Sequence, residues 1–97
     1  MINRYFYKSS LSEFAKESSD SIFGKISRCD EGDSVAEQKF AWSEEIEIMQ
    51  QISQSWMNEN GEIIFEYSIP RLGKRIDVVL LLRGIVFVIE FKAGQDV

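Results

Sequence analysis

The pattern of apolar and polar residues predicts one long helix followed by three strands. Residues 35–59 contain no proline or glycine, and Gly61 stands where a helix would stop. The pattern Ser34-Val-Ala-Glu37 before this run is typical of a capping box. Apolar side chains recur on one helical face at Trp42, Ile46, Met49, Ile52 and Trp56. We therefore expect a helix over 35–59.

The three predicted strands cover residues 62–69, 75–82 and 85–93. In the first strand, apolar and polar positions alternate with the period of a strand that buries one face. The expected buried face comprises Ile63, Phe65, Tyr67 and Ile69. The expected opposite face comprises Glu62, Ile64, Glu66 and Ser68. The other two strands are rich in β-branched residues, and Arg83-Gly84 between them predicts a tight hairpin turn.

The first 33 residues are predicted to form a helical accessory segment. Ser10 and Glu13 have the spacing of a capping box before a short helix, and a second short helical stretch follows. Residues 28–34 combine glycine and acids without periodicity, which predicts a loop. The expected organisation is an accessory segment at 1–33 and a partial core at 34–97. The fold class is α/β (α+β), with N-terminal helices, one long helix and a three-stranded meander.

Composition limits the chemistry to carboxylates and lysines. The chain of 97 residues has no histidine, which excludes imidazole-based catalysis and histidine-ligated zinc within it. A single cysteine, Cys29, agrees with a reducing compartment, and no phosphate-binding P-loop pattern occurs. No apolar run reaches the ~20 residues needed to cross a bilayer. We expect a cytoplasmic protein with no membrane partner.

Charge is distributed unevenly along the chain, whose net charge is −5. Residues 1–68 carry six Lys or Arg against thirteen Asp or Glu, whereas residues 69–92 carry five against two. Local positive potential can steer a phosphate backbone towards an acidic protein. Arg71, Lys74 and Arg75 are therefore candidates for contact with DNA phosphates. Solvated charges in a turn are the ordinary alternative, and for Lys74 we favour it slightly.

Three ionisable residues, Asp77, Glu90 and Lys92, interrupt the apolar runs of the last two strands. Glu90 and Lys92 are two positions apart, so their side chains share a face, and the short turn brings Asp77 opposite Glu90. Two adjacent carboxylates repel each other unless a cation lies between them. Lys92 could neutralise one carboxylate, whereas a divalent metal could bind both.

A third acid is expected from the long helix. Of Glu44, Glu45 and Glu47, only Glu45 projects towards the apolar stripe. With Asp77 and Glu90 it would form an oxygen-rich pocket suited to Mg²⁺ or Mn²⁺, and an adjacent lysine would suit phosphodiester hydrolysis. The alternative is a salt-bridged Glu90–Lys92 pair and a half-buried Glu45. Spacing alone does not separate the two hypotheses.

The order of these residues resembles the PD-(D/E)XK nuclease superfamily. The matching segments are Glu45 on the helix, Ile76-Asp77-Val78, and Glu90-Phe91-Lys92. Ile76 stands where the family commonly has a proline. The resemblance implies a restriction-endonuclease-like core in which Asp77 and Glu90 are catalytic metal ligands and Glu45 is an additional ligand. It also implies that Lys92 is the catalytic lysine and that Mg²⁺ or Mn²⁺ is the cofactor.

A narrower likeness covers most of the chain. The segments "AWSEEIEIMQ", "FEYSIPRLGKRIDVVLLL" and "VFVIEFKAG" resemble the N-terminal part of large bacterial proteins in which a nuclease-like segment precedes a P-loop helicase-type ATPase. The likeness implies a fragment lacking the last helix and strand of the core. The expected partners are DNA, with RNA as the weaker alternative, and the ATPase region of the parent protein.

The missing elements would leave one sheet face uncovered, which favours a homodimer or strand exchange of this chain. Two other functions compete with the nuclease hypothesis. One is a catalytically inactive nuclease-like fold that binds nucleic acid or docks another domain. The other is a structural module in which the charges of the hairpin form only a salt bridge.

Overall fold

Residues 4–30 and 36–92 are described by a computed structural model of the chain, and they contain three α-helices and four β-strands. The elements follow in the order β1 (Tyr7–Ser10), α1 (Leu11–Lys16), α2 (Ser19–Cys29), α3 (Ala36–Ser53), β2 (Gly61–Ile69), β3 (Lys74–Leu82) and β4 (Ile85–Ile89). Short 3₁₀ turns follow α3 and β2, at Gln54–Trp56 and Pro70–Leu72. The expected mixture of helices and strands is confirmed.

The strands form one antiparallel sheet in the order β1-β2-β3-β4. Pairing of β2 with β3 runs from Gly61 opposite Leu82 to Ile69 opposite Lys74. The turn between β3 and β4 consists of Arg83 and Gly84, with φ angles of 53° and 76°. Two consecutive residues with positive φ are characteristic of the type I′ turn, which matches the twist of a hairpin. The predicted tight turn is therefore observed.

Strand β1 corrects the expectation of N-terminal helices followed by a three-stranded meander. Its four residues pair with β2, from Tyr7 opposite Phe65 to Ser10 opposite Glu62. A strand of four residues is too short to show a clear alternation, and its formation depends on the backbone edge that β2 offers. The N-terminal residues thus extend the sheet to four strands.

The capping box at the start of α1 is confirmed by the Ser10 hydroxyl, which accepts a hydrogen bond from the Glu13 N–H at 3.3 Å. Helix α2 is longer than expected, because it includes Arg28 and Cys29. The sequence pattern predicts a loop at these two residues. Its N-cap is Ser18. Asp30 is the C-cap of this helix, and residues 31–34 of the predicted loop lie outside the described residues, as does Ser34 of the proposed capping box.

Helix α3 ends at Ser53, earlier than the predicted residue 59, and continues only as a 3₁₀ turn. Trp42, Ile46 and Met49 are fully buried, as the apolar stripe predicted. Ile52 is 40% exposed, so its assignment to the buried face was wrong. This side chain lies about 80° from Trp42 on the helical wheel, at the rim of the stripe.

One hydrophobic core joins the N-terminal segment to the rest of the chain. The Gln50 side-chain amide on α3 donates hydrogen bonds to the carbonyl oxygens of Phe14, at 3.0 Å, and Glu17, at 2.6 Å. These contacts fix α1 against α3. The main buried side chains are Tyr7, Leu11, Phe14, Ile22, Ile26, Trp42, Ile46, Met49, Ile63, Phe65, Val78, Leu80 and Leu82. The domain division at residue 33 stays a prediction, but residues on both sides of it share this core.

Strand β4 forms an edge of the sheet and ends at Ile89, short of the predicted residue 93. The helices do not cover it, and both of its faces are apolar and exposed. The exposed side chains are Ile85, Val86, Phe87 and Val88. None of the helices in residues 4–30 and 36–92 is long and apolar enough to cross a membrane.

Substitution Gly61→Ala tests the packing between β2, β3 and α1. A Cβ atom at this position would overlap the Leu81 carbonyl oxygen and approach Leu11 Cδ1 to 2.7 Å. We expect the free energy of unfolding to fall by about 1–3 kcal/mol in urea denaturation. Gly24→Ala in α2 is the control, since the nearest atom to the added Cβ would be Nη1 of Arg28, 3.6 Å away on the same helix, and it should stabilise the protein by up to about 1 kcal/mol. Equal stability of both variants would contradict this packing.

Candidate functional site

Asp77 and Glu90 face each other where the pairing of β3 and β4 ends. Val78 pairs with Ile89, so the next positions along the two chains are Asp77 and Glu90. The Glu90 carboxylate accepts a hydrogen bond from the Asp77 N–H at 3.0 Å. The Asp77 carboxylate accepts one from the Phe91 N–H at 2.8 Å. The two carboxylates thus accept hydrogen bonds from backbone N–H groups at the positions where β4 was expected to continue.

These hydrogen bonds orient both carboxylates. Each bond uses one carboxylate oxygen, and the other oxygen of each group takes no part in these two bonds. Oε2 of Glu90 and Oδ2 of Asp77 are the bonded atoms. Burial raises the pKa of Asp77, and the charge of Glu90 raises it further, although the Phe91 N–H acts in the opposite direction. Asp77 is therefore less readily ionised than an exposed aspartate.

Glu45 brings a third carboxylate from α3. Its side chain is only 4% exposed, whereas its neighbours Glu44 and Glu47 are exposed, as the helical geometry predicted. Its Oε1 atom has no hydrogen-bond partner among the described residues. Burial raises the pKa of Glu45 to about 8, and the nearby charges of Asp77, Glu66 and Glu90 contribute. Glu45 is an unpartnered acid facing other acids, which is energetically unfavourable in the absence of a cation.

Lys92 shares a cleft with Glu45. A cavity of about 230 Å³ lies between α3 and the chain that follows β4. It is lined by Ala41, Glu44, Glu45, Ile48, Phe91 and Lys92. Within the described part of the chain, Glu90 and Lys92 do not form an ion pair. The salt bridge considered as an alternative for these two residues is therefore not observed, and the lysine remains available to the cleft.

Glu66 is a fourth acid near this site, and sequence reasoning missed it. Simple alternation placed it on the exposed face of β2, but its side chain is 6% exposed. Its φ of 57° is unusual for a residue other than glycine, and it disrupts the alternation of the strand. Burial raises the pKa of Glu66 to about 7, and Asp77 raises it as well. Nothing in the local sequence pattern indicated this backbone conformation.

Two neighbours lower the pKa of Glu66. The positive charge of Arg75 acts from β3, and the indole N–H of Trp42 acts from α3. The indole does not complete a hydrogen bond to this carboxylate. Trp42 Nε1 is buried and has no hydrogen-bond partner within the described ranges. Neither neighbour cancels the effect of burial, so Glu66 retains a raised pKa.

The donor atoms suit a hard divalent cation, but they do not yet surround one. Carboxylate oxygens are the ligands that Mg²⁺ and Mn²⁺ prefer, and the unpartnered Oε1 of Glu45 supplies a buried one. However, no three acidic or cysteine side chains in residues 4–30 and 36–92 are arranged to hold a metal ion. Asp77 and Glu90 also each bind a backbone N–H. Coordination by three carboxylates therefore requires side-chain rotation.

The basic residues predicted to contact DNA lie around the turn between β2 and β3. Arg71, Lys74 and Arg75 are all exposed. The Arg75 guanidinium also stacks over the ring of Phe6, 4.4 Å from its centroid, so it has a local packing role. Their contact with nucleic acid stays a prediction.

Comparisons with protein-family models, curated proteins and solved structures find no match for this chain. The resemblance to PD-(D/E)XK nucleases therefore stays a prediction from sequence motifs. The candidate site therefore consists of the hydrogen-bonded Asp77 and Glu90 and of the buried Glu45, which shares a cleft with Lys92.

Substitution Glu45→Gln tests whether this acid is buried without a partner. With a pKa of about 8 in the folded state and an ordinary value of 4.5, Glu45 is ionised in the unfolded chain at intermediate pH and takes up a proton on folding. The preference of the folded protein for protonated Glu45 therefore stabilises the fold fully below about pH 4.5. This stabilisation is lost as the pH rises to about 8. In EDTA, the variant should be more stable than the wild type at pH 8, by roughly 3 kcal/mol, with little difference at pH 4.5.

Urea denaturation of both proteins across this pH range measures the effect. Glu44→Gln is the matched control, because this exposed neighbour on α3 should leave stability unchanged at every pH. Parallel stability curves for the wild type and the Glu45 variant would contradict an unpartnered buried carboxylate.

Proposed function

We propose that this chain is a nuclease-like domain that binds Mg²⁺ or Mn²⁺ and hydrolyses DNA phosphodiester bonds, as part of a larger helicase-associated protein. One observation carries the proposal. Glu45, buried with an unpartnered oxygen, is electrostatically coupled to Asp77 and Glu90 and shares a cleft with Lys92. Such a group of acids with an adjacent amine suits metal-assisted hydrolysis better than a structural core.

The arrangement of secondary structure also supports the proposal. In the superfamily that the sequence resembles, a helix bearing Glu precedes a strand hairpin carrying Asp and then E-x-K. Here α3 precedes an antiparallel β2-β3-β4 meander. Asp77 lies on β3, and Glu90-Phe91-Lys92 directly follows β4. A restriction-endonuclease-like core is therefore the finer fold that we propose.

Each group has a chemical role in this proposal. The cation, when bound, would stabilise negative charge on the phosphoryl group and lower the pKa of a water molecule. Asp77 and Glu90 would hold it after the side-chain rotation that coordination requires, through oxygens other than those that bind backbone N–H groups in the structure. Glu45 would add a third carboxylate from α3. Lys92, from the same cleft as Glu45, would position the attacking water and counter negative charge in the transition state.

The proposed substrate is DNA, with RNA as the weaker alternative. Arg71, Lys74 and Arg75 offer exposed positive charge at the turn between β2 and β3, on the strand that carries Asp77. Phosphate contacts at such a turn would position the nucleic acid without reading its sequence. The ATPase region of the parent protein is the second proposed partner.

A catalytically inactive nuclease-like fold is the second candidate function. The observation that favours it is that Asp77 and Glu90 already bind backbone N–H groups and that no three acids in the described part surround a common point. In that case the carboxylates would terminate the hairpin, and the basic turn would bind nucleic acid or another domain.

Calorimetric titration with Mn²⁺ tests the cation site. We expect binding by the wild type and a loss of affinity of at least about tenfold in Asp77→Asn, which removes the charge but keeps an oxygen to accept the Phe91 N–H. Glu47→Gln, an exposed acid on α3, is the matched control and should bind as the wild type does. Absence of Mn²⁺ binding by the wild type would contradict the proposal.

The same proteins with labelled DNA and Mn²⁺ separate the two candidate functions. Lys92→Met should retain Mn²⁺ binding and lose cleavage by a factor of about 10² or more, because only its amine acts on the reaction. If the wild type binds Mn²⁺ and DNA but does not cleave, the inactive nuclease-like fold is the correct description.

The exposed edge strand supports self-association, and we propose a second copy of this chain as the occupant. No strand among residues 4–30 and 36–92 pairs with the outer side of β4, and the strand carries no charge that would oppose pairing. Val86→Lys with Val88→Lys should shift the protein towards the monomer in sedimentation velocity at high micromolar concentration. Phe40→Lys, 66% exposed on α3, is the control for general surface hydrophobicity. A monodisperse wild-type monomer would contradict self-association.

A further inference from the structure

Two adjoining depressions lie along β1, at the edge of the sheet opposite to β4. The larger has a volume of about 540 Å³ and the smaller a volume of about 370 Å³. Tyr7, Lys8 and Lys25 line both of them, so the depressions meet at these side chains. Binding sites for small molecules have volumes of about 300–1,000 Å³, so each depression is large enough to hold part of a small ligand.

The lining of the depressions is basic, although the net charge of the chain is −5. Among the described residues that line them, four are cationic and only Glu13 and Glu17 are acidic, which leaves a local balance of +2. The cationic residues are Lys8, Lys16, Lys25 and Arg28. Cations gathered on a concave surface attract anionic ligands.

Glu17 is held by neighbouring side chains and has its charge compensated. Its carboxylate accepts hydrogen bonds from the Tyr7 hydroxyl at 2.7 Å and the Ser21 hydroxyl at 2.6 Å, and it pairs with the Lys25 amine at 2.7 Å. Burial alone would raise the pKa of Glu17, but the hydrogen bonds from Lys25, Ser21 and Tyr7 lower it below its ordinary value. Glu17 therefore fixes Lys25 and Tyr7 where the depressions meet.

The other three cations remain available to a ligand. Within residues 4–30 and 36–92, Lys16 and Arg28 form no ion pair. Lys8 has only a long contact with Glu62, at 3.9 Å, between two half-exposed side chains. Exposed ion pairs of this kind contribute little to stability, so a phosphate group could replace Glu62 as the partner of Lys8 at little cost.

The smaller depression has an aromatic wall, formed by Tyr5 and Phe6. The Lys8 amine lies 5.8 Å from the centroid of the Tyr5 ring, so aromatic and cationic groups are adjacent. The Cys29 thiol donates a hydrogen bond to the Phe6 carbonyl oxygen at 3.3 Å, which attaches the end of α2 to this wall. Aromatic rings stack on nucleobases, and lysines bind phosphate groups.

We propose that the two depressions form a binding site for a nucleoside monophosphate, with its phosphate near Lys8 and Lys16 in the larger depression and its base against Tyr5 in the smaller one. A cationic surface next to an aromatic wall favours such a ligand over a simple anion or an apolar molecule. The residues that line the depressions do not belong to the candidate nuclease site. The inference therefore goes beyond the proposed function and does not depend on it.

Calorimetric titrations with AMP, adenosine and inorganic phosphate at low ionic strength test the proposal. We expect the wild type to bind AMP at least about tenfold more tightly than either of the other two, because only AMP occupies both depressions. Lys16→Gln should weaken AMP binding at least about fivefold, since one charged contact is lost. Lys39→Gln is the matched control, because this exposed lysine on α3 lies outside both depressions. Tyr5→Leu should weaken AMP binding about fivefold or more and leave phosphate binding unchanged.

The single cysteine provides a second measurement on the wild type. Cys29 is exposed and lines the smaller depression, so a bound base would cover its thiol. At an AMP concentration of roughly ten times the Kd, the reaction of Cys29 with N-ethylmaleimide should slow about tenfold, because only the free protein reacts. Inorganic phosphate should leave this rate unchanged.

AMP binding that falls in Lys16→Gln but not in Lys39→Gln, together with protection of Cys29, supports the proposal. Absence of AMP binding, an equal loss in both lysine variants, or AMP binding without protection of Cys29 would each overturn it. Phosphate that binds as tightly as AMP would overturn the assignment to a nucleotide. Oligonucleotides with and without a 5′-phosphate identify the source of the ligand, because stronger protection of Cys29 by the phosphorylated one indicates a nucleic-acid end and equal protection indicates a free nucleotide.

Discussion

The burial of the Glu45 carboxylate between α3 and the sheet is the constraint on which the site depends. An ionised carboxylate without a partner costs several kcal/mol in such an environment, and nearby acids increase that cost. Burial raises the pKa of Glu45 to about 8, which favours its protonated form at neutral pH. A bound divalent cation would remove the need for that proton. The same burial would strengthen the electrostatic attraction of this carboxylate for a metal in the proposed site.

The fold supports this unfavourable group by attaching α3 firmly to the rest of the structure. Trp42, Ile46 and Met49 bury the adjacent face of the helix, and Gln50 binds two carbonyl oxygens at the end of α1. The N-terminal residues contribute β1 and several core side chains to the same body. Favourable packing along α3 thus offsets one unfavourable carboxylate, a common feature of functional sites.

Asp77 and Glu90 belong both to the backbone hydrogen bonding at the end of the hairpin and to the candidate site. Each carboxylate binds an N–H of the opposite chain, which ends β4 and holds the two acids together despite their repulsion. This arrangement is compatible with preorganised metal ligands and also with a structural end to the hairpin. The geometry of the pair alone does not separate these interpretations. The unpartnered Glu45 and the shared cleft with Lys92 favour the first.

The sequence by itself determined the elements whose signals are local. Helical spacing identified the buried face of α3 and singled out Glu45 from its neighbours. The turn at Arg83-Gly84 and the facing positions of Asp77 and Glu90 followed from hairpin geometry. In each case a period or a turn preference over a few residues carries the information.

Only the tertiary structure decided the features that depend on distant parts of the chain. Strand β1 forms because β2 offers it an edge, and Ile52 is exposed although it belongs to the apolar stripe of α3. Glu66 is buried because its backbone leaves the regular strand conformation next to α3, which no alternation rule foresees. Burial and electrostatic coupling are properties of surroundings in space, and the chemistry of four acids separated along the chain arises only when folding brings them together.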